Sequence, residues 1–172
     1  MKYVIRRLLL LLVSLTCCVA LTSCGGGEDA KATSGPDIPA YAKTNDERGA
    51  QKFAQYWIDT LNEATTSGDT KKLKTLQKKS CTTCTDFARQ LDEIYAAGGH
   101  VETKGFEVKS LVNEAGVPAP GAGVSATLQS TPQTVYRTKN AKPREYKGAQ
   151  LRLRLIMVRV ADHWLMDRID IG

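Results

Sequence analysis

The chain lacks the sequence patterns that identify most nucleotide-binding and hydrolytic enzymes. It has no phosphate-binding P-loop, no glycine-rich dinucleotide fingerprint and no spacing typical of a Ser-His-Asp triad. Histidine is scarce, with only His100 and His163 among 172 residues. Since a zinc site usually needs four ligands and the mature chain has one Cys-x-x-Cys pair, no metal or cofactor is predicted. The apolar run at residues 8–21 is too short for a membrane-spanning helix, which needs roughly 20 residues.

The first 23 residues have the organisation of an export signal. Lys2, Arg6 and Arg7 form a basic start, no acidic residue precedes Cys24, and the apolar run follows. The run ends in Leu21-Thr22-Ser23-Cys24, which resembles the bacterial lipobox. The resemblance implies cleavage after Ser23 and attachment of a diacylglyceryl group to Cys24, often with a further acyl chain such as palmitate. An ordinary secretory signal that ends near a chance cysteine is the alternative.

The expected product is a lipoprotein held by Cys24 on the extracytoplasmic face of the cell membrane. Two long acyl chains give stable anchoring at about 0.8 kcal/mol per buried methylene. Removal of residues 1–23 from 172 leaves 149, which suits one domain. The net charge of +6 falls to +3 when Lys2, Arg6 and Arg7 leave with the signal. So mild an excess does not indicate nucleic acid; a weak attraction to anionic lipid or cell-wall polymer stays open.

Residues 24–43 are predicted to form a flexible tether after the lipidated cysteine. The stretch is rich in Gly, Ala, Ser, Thr and Pro and has few large apolar side chains to offset its chain entropy. Residues 44–172 are predicted to form the folded domain. Thr44 and Glu47 have the spacing of a capping box, and apolar residues then recur at helical steps as far as Ser67-Gly68. A short helix with Leu73 and Leu76 facing inward and a third helix at residues 82–97 follow.

After Gly99 the apolar period changes from helical to alternating. Strands are predicted from Phe106 to about residue 112, at 124–129, at 151–160 and at 164–171, with a short edge piece at Val135-Tyr136. Residues 113–123 and 138–148 are predicted to be loops, because they contain Gly or Pro. The strand at 151–160 is apolar on both faces in its second half, which indicates a central or bulged position.

Helices followed by antiparallel strands predict an α+β fold with the helices on one face of a curved sheet. This order, with Phe53, Trp57 and Leu61 on the first helix and a final turn at Asp162-His163-Trp164, resembles the cone-shaped, cystatin-like fold of nuclear transport factor two and polyketide-cyclase-like proteins. Residues 53–84 are similar to an uncharacterised family of actinobacterial lipoproteins. That family's function is unknown, so the resemblance implies a compartment and a disulfide but no activity. The cone fold also implies a homodimer through an exposed sheet face as one form of the protein.

Cys81 and Cys84 are expected to form a disulfide. Cys17 and Cys18 leave with the signal and Cys24 carries lipid, so one pair remains in an oxidising compartment. A redox-active Cys-x-x-Cys at a helix start is the alternative. It is disfavoured because no buried strand precedes the pair as in thioredoxin-like proteins. A structural bridge closing so small a ring contributes roughly 2 kcal/mol.

No catalytic residue is predicted. Four aromatic residues are candidates for lining a cavity, although aromatic residues at helical spacing are more often core: Tyr56, Trp57, Tyr95 and Trp164. Asp162 and His163 could act as an acid–base pair, but adjacent residues in a turn usually face solvent. Arg152 and Arg154 are interpreted as facing water.

These patterns favour a non-catalytic, lipid-anchored module at the cell envelope. Its partner would be a small apolar ligand, another envelope protein or a cell-wall polymer. The alternatives are a small cavity enzyme of the cyclase or isomerase type and a thiol–disulfide protein.

Overall fold

The structure of the protein is a computed structural model that describes residues 36–172. Helix α1 spans Glu47–Ser67 and is capped by Asp46, whose carboxylate accepts a hydrogen bond from the backbone N–H of Gly49 at 2.6 Å. The predicted cap at Thr44 is wrong: its hydroxyl donates to Asp46 instead. Asp46 is preferred because it directly precedes the first turn, where its side chain reaches an orphan N–H. The helix ends at Gly68, whose φ of 75° is the left-handed conformation that glycine adopts most readily.

Two shorter helices follow α1. Helix α2 spans Lys71–Thr75, and helix α3 spans Thr82–Ala96. Leu73 and Leu76 are fully buried. Because α2 is amphipathic and only about one turn long, its stability comes from this burial rather than from helix propensity.

Within the described residues, seven strands make two antiparallel sheets. They are β1 (His100–Glu102), β2 (Phe106–Glu114), β3 (Gly121–Ser130), β4 (Gln133–Tyr136), β5 (Arg144–Tyr146), β6 (Gln150–Val160) and β7 (His163–Ile171). The larger sheet has the order β2-β3-β6-β7, and the smaller has the order β1-β4-β5. Helices followed by antiparallel sheets confirm the predicted α+β class.

The core lies between the helices and the inner face of the larger sheet. Helix α1 contacts β2 and β3, and α3 contacts β7. Phe53, Trp57 and Ile58 from α1 are fully buried, and so are Leu155 and Met157 from β6. The strand β6 was predicted to be central or bulged, and it is both: it lies between β3 and β7, and its register with β7 shifts between Ile156 and Met157.

The smaller sheet was not predicted as a sheet. Only the edge piece at residues 135–136 was expected, whereas His100 pairs with Tyr136 and Val135 pairs with Arg144. Strands of three or four residues are too short for an alternating pattern to stand out. The predicted loop at 113–123 is also shorter than expected, because β2 continues to Glu114 and β3 begins at Gly121.

The folded unit begins earlier in the chain than residue 44, its predicted start. Ile38 is 3% exposed, Ala42 is fully buried, and Ala40–Ala42 form a 3-10 helix. A single Ile–Pro–Ala segment is enough to add to a core that already exists, although it could not form one alone. Cys24, the signal and the first part of the predicted tether lie outside the described residues. Within residues 36–172 no helix is long and apolar enough to cross a membrane.

Candidate functional site

A cleft of about 390 Å³ opens between α1, α3 and the smaller sheet. Its volume lies within the range of roughly 300–1,000 Å³ that is typical of small-molecule sites. The apolar part of its lining comes from five elements and consists of Leu61, Phe87, Leu91, Ile94, Val101, Phe106 and Val135. The cleft is therefore a product of tertiary packing and not of one local motif.

One face of α3 forms a wall of the cleft. Phe87, Leu91 and Ile94 follow one another at steps of four and three residues, so they lie on one side of the helix. Gln90 adds an amide to the same wall. The rest of the inward side of α3 carries Cys84 and Ala88, which are buried in the core.

The smaller sheet forms the opposite wall. Val101 of β1 pairs directly with Val135 of β4, so both side chains lie on the same face of that sheet. They are 7% and 8% exposed, respectively. Their remaining exposure is on the side of the cleft, which both residues line.

Five polar side chains border the cleft: Gln90, Gln133, Arg137, Tyr146 and Lys147. All are exposed or half-buried, and none makes a side-chain hydrogen bond or ion pair with another residue in the range 36–172. Two other hydroxyls in the lining are already occupied. Thr65 donates to the carbonyl of Leu61 at 2.7 Å, and Ser130 donates to the carbonyl of Ala149 at 3.1 Å.

Arg137 and Lys147 belong to a segment that is rich in cations. We call residues 137–147 the basic segment; its charged residues are Arg137, Lys139, Lys142, Arg144, Glu145 and Lys147. All six are exposed, and none takes part in an ion pair with a described residue. The basic segment therefore places a local excess of four positive charges beside the apolar cleft.

None of the four candidate aromatic residues lines this cleft. Trp57 is fully buried, and its indole Nε1 has no hydrogen-bond partner among the described residues. Tyr56 is 9% exposed and donates its hydroxyl to the carbonyl of Asp37 at 2.6 Å. Both residues face inward from α1 because their helical positions lie over the sheet and the segment before α1.

The other two aromatic residues connect elements of the fold. Tyr95 donates its hydroxyl to the carbonyl of Thr65 at 2.7 Å and joins α3 to α1. Trp164 is 4% exposed and donates its indole N–H to the carbonyl of Thr44 at 3.0 Å. The guanidinium of Arg159 lies 5.4 Å from the centre of the Trp164 ring. The hydrogen bond from Trp164 holds Thr44 against β7, and neither the Tyr95 ring nor the Trp164 ring lines the cleft.

Cys81 and Cys84 form a disulfide at the start of α3. The two residues are 1% and 0% exposed, respectively. Because thiol–disulfide exchange requires an accessible sulfur, this burial is typical of a structural bridge.

The polar candidates predicted outside the core also lie away from the cleft. His163 Nδ1 is 3.0 Å from Asp162 Oδ1, and this hydrogen bond holds the pKa of Asp162 below its usual value. Arg154 on the outer face of the larger sheet is 2.6 Å from Glu114 Oε2. A hydrogen bond from Ser125, and then that from Arg154, lower the pKa of Glu114. Arg154 is thus neutralised by a carboxylate of its own chain. Within residues 36–172 no cluster of three His, Cys, Asp or Glu residues could hold a metal ion.

Sequence reasoning predicted the helix at residues 82–97 that carries Phe87, Leu91 and Ile94, but it did not assign these residues to a cavity. It missed Arg137 and Lys147 as site residues, because they fall in a segment that was predicted to be a loop. The available signal was the density of positive charge: five cations and one anion within eleven residues.

Several solved structures are similar to this chain. The intermembrane space region of the chloroplast protein ARC6 is 14% identical with a TM-score of 0.57, over 73% of this chain and 95% of that one. An uncharacterised protein with a cystatin-like fold from Caulobacter vibrioides is 12% identical with a TM-score of 0.46, over 69% and 87% of the two chains. An NTF2-like protein from Anabaena variabilis is 9% identical with a TM-score of 0.41, over 79% and 95%.

At these identities the similarities concern the fold alone. Among curated proteins no relative matches this chain. A family model does match, and it covers residues 27–170, which include every residue of the cleft. The chain therefore belongs to a family of unknown function, DUF6318.

Proposed function

We propose that the protein is a non-catalytic ligand-binding module, anchored through a lipid on Cys24 at the extracytoplasmic face of the cell membrane. The observation that carries the proposal is the cleft between α1, α3 and the smaller sheet, which combines an apolar lining with a polar border. A concave apolar surface with a few convergent polar groups is the usual form of a small-molecule site.

The chemistry of the lining favours binding over catalysis. An enzyme of the cyclase or isomerase type needs a group that moves a proton near neutral pH. The lining contains no carboxylate and no imidazole, and its titratable side chains are Arg137, Tyr146 and Lys147. A thiol–disulfide function is disfavoured because Cys81 and Cys84 are both buried.

Native mass spectrometry on residues 25–172 tests the binding function. This length keeps the whole folded unit, and export during expression lets the disulfide form. After incubation with a mixed extract of small apolar metabolites, we expect one retained ligand per protein. Ile94→Trp fills the cleft and should abolish retention.

Ile171→Trp is the matched control for this variant. Ile171 is 60% exposed on β7 and does not line the cleft, so the same change there should leave retention intact. Thermal unfolding of both variants shows whether each is folded. A clean apo mass for the unmodified protein, or equal loss in both folded variants, would count against a ligand site in the cleft.

The anchor is tested separately in cells that export lipoproteins. Cys24→Ala removes the only sulfur available for the thioether, so the protein should move from the membrane to the culture medium or periplasm. Cys84→Ala, which alters the folded unit and not the lipobox, should stay with the membrane fraction. Retention of the Cys24→Ala protein on the membrane would contradict the lipid anchor.

A further inference from the structure

The charge around the cleft indicates which ligands it would select. Arg137 and Lys147 both line the cleft, and no anionic side chain does. Lys139, Lys142 and Arg144 add positive charge in the same segment without lining the cleft. An uncharged ligand would leave these cations without a partner, whereas an acidic ligand would pair with them.

The apolar lining and the cations occupy different parts of the cleft. Leu91, Val101 and Val135 are each at most 8% exposed, whereas Arg137 and Lys147 are exposed. The depth of the cleft is therefore apolar and its border is cationic. A ligand that matches this gradient has an apolar body and an acidic head that stays partly in water.

The volume limits the size of the apolar body. At about 390 Å³ the cleft is near the lower end of the range for ligand sites. It suits one hydrocarbon chain or a small ring system better than the two chains of a membrane phospholipid.

The polar border also has the donors that an acid group requires. A guanidinium can bind a carboxylate or phosphate through two parallel N–H donors, and an ammonium supplies a point charge. The amides of Gln90 and Gln133 lie on opposite walls and can donate N–H groups to the same head. Since these donors have no partner among the described residues, binding an acid breaks no ion pair within residues 36–172.

We infer that the cleft binds a single-chain amphiphile with an acidic head group, whose apolar body lies against α3 and the smaller sheet and whose acid pairs with Arg137 and Lys147. This inference rests on the proposed binding function and adds the chemical class of the ligand. The acidic head can be a carboxylate, as in a fatty acid, or a phosphate ester, as in a lipid; the two sources share the same recognition chemistry.

Two fluorescent probes that differ by one charged group provide the test. The first, 1-anilinonaphthalene-8-sulfonate, is anionic, and the second, N-phenyl-1-naphthylamine, is its uncharged counterpart. Both are titrated into residues 25–172. We expect one bound sulfonate probe per protein, with an affinity about tenfold higher than that of the uncharged probe. The preference should shrink as salt is added, because the cations are exposed.

The double variant Arg137→Gln/Lys147→Gln should lose most of this preference and keep its affinity for the uncharged probe. Lys139→Gln/Lys142→Gln is the matched control, because it removes two charges from the same segment at positions outside the cleft lining. It should keep most of the preference. Thermal unfolding verifies that both double variants are folded, as their exposure predicts.

The outcomes separate the two proposals. Equal affinity for both probes, or equal loss of preference in both double variants, would overturn the acidic-head inference and leave the binding function standing. If neither probe binds, both the acidic-head inference and the binding function are overturned. Displacement of the sulfonate probe by dodecanoate or by dodecyl phosphate, with weaker displacement by dioctanoyl phosphatidylglycerol, supports a single-chain ligand, and the stronger of the two single-chain competitors identifies the head group. Stronger displacement by dioctanoyl phosphatidylglycerol than by dodecyl phosphate would assign the site to a two-chain lipid and overturn the single-chain inference.

Discussion

Two lysine- and arginine-rich segments of this protein have the same number of cations but differ in how those cations are used. The first, which we call the lysine segment, is residues 71–79 and contains Lys71, Lys72, Lys74, Lys78 and Lys79. Three of its lysines pair with acids from other elements: Lys72 with Glu63, Lys74 with Asp92 and Lys78 with Asp167, at 3.3, 2.5 and 2.8 Å. The basic segment also has five cations, and none is paired with a described residue.

The two segments also differ in how their other residues are buried. In the lysine segment the N–H of Lys78 donates to the carbonyl of Met166, and the N–H of Met166 donates to that of Leu76. Leu73 and Leu76 are fully buried beneath it. In the basic segment Arg144 and Tyr146 are exposed on the edge strand of a three-stranded sheet. Positive charge is part of the fold in the first segment and is available to a partner in the second.

The largest expected effect on stability comes from truncating the buried apolar side chains that lie beneath the two segments. Leu73→Ala removes a fully buried side chain under the lysine segment and should lower the free energy of unfolding by about 2–5 kcal/mol. Val135→Ala removes a smaller side chain from the sheet beside the basic segment and should cost about 1–2 kcal/mol. Urea unfolding monitored by tryptophan fluorescence measures both. Equal losses would mean that the smaller sheet is as much a part of the core as α2.

A smaller effect is expected for the charges themselves. Lys74→Gln breaks the pair with Asp92 and should cost no more than about 1 kcal/mol, since both side chains are more than a third exposed. Lys142→Gln in the basic segment is the matched control. It should leave the free energy of unfolding within about 0.5 kcal/mol of its original value, because the side chain is exposed and forms no ion pair within residues 36–172.

The free energy of unfolding of the Lys74→Gln variant, measured as a function of pH, tests the role of the ion pair more closely. Burial of Asp92 opposes ionisation, but hydrogen bonds from Lys74 and Thr70 outweigh it and hold the pKa of Asp92 below its usual 3.8. A carboxyl with a lowered folded-state pKa stabilises the fold above its unfolded pKa, and this contribution is lost as the pH falls through the folded value. The difference between Lys74→Gln and the unmodified protein should therefore be present at pH 7 and shrink below about pH 4. A difference that persists at low pH would show that Lys74 acts by packing alone.

The sequence predicted the part of the fold whose helices and strands are long enough to repeat their apolar pattern several times. Helix α1 is 21 residues long and repeats its apolar face several times, and β6 alternates over Leu151, Leu153 and Leu155. The smaller sheet has strands of three, four and three residues, with one fully or nearly buried side chain in each of two strands. No periodic signal can arise from so few residues, so their pairing is visible only when the rest of the fold brings them together.

A related argument explains why none of the four candidate aromatic residues lines the cleft. Trp57 and Trp164 are the largest apolar side chains in their elements, and large aromatic residues contribute most when they are fully buried. They occupy the core for that reason. The cleft lies where the core ends, and its lining consists of medium-sized residues such as Ile94 and Val101 from different elements. A list of aromatic residues cannot identify such a boundary.

The contacts that fix the start of the folded unit also set how far it can be from a membrane. Ile38 is buried, and the carbonyls of Asp37, Lys43 and Thr44 accept hydrogen bonds from Tyr56, Arg159 and Trp164. If Cys24 carries the proposed lipid, the connection from lipid to first buried side chain is about 14 residues, which reach at most roughly 50 Å when fully extended. That length is then an upper limit on the distance between the bilayer and the first buried side chain, so an amphiphile at the membrane surface would be close to the cleft.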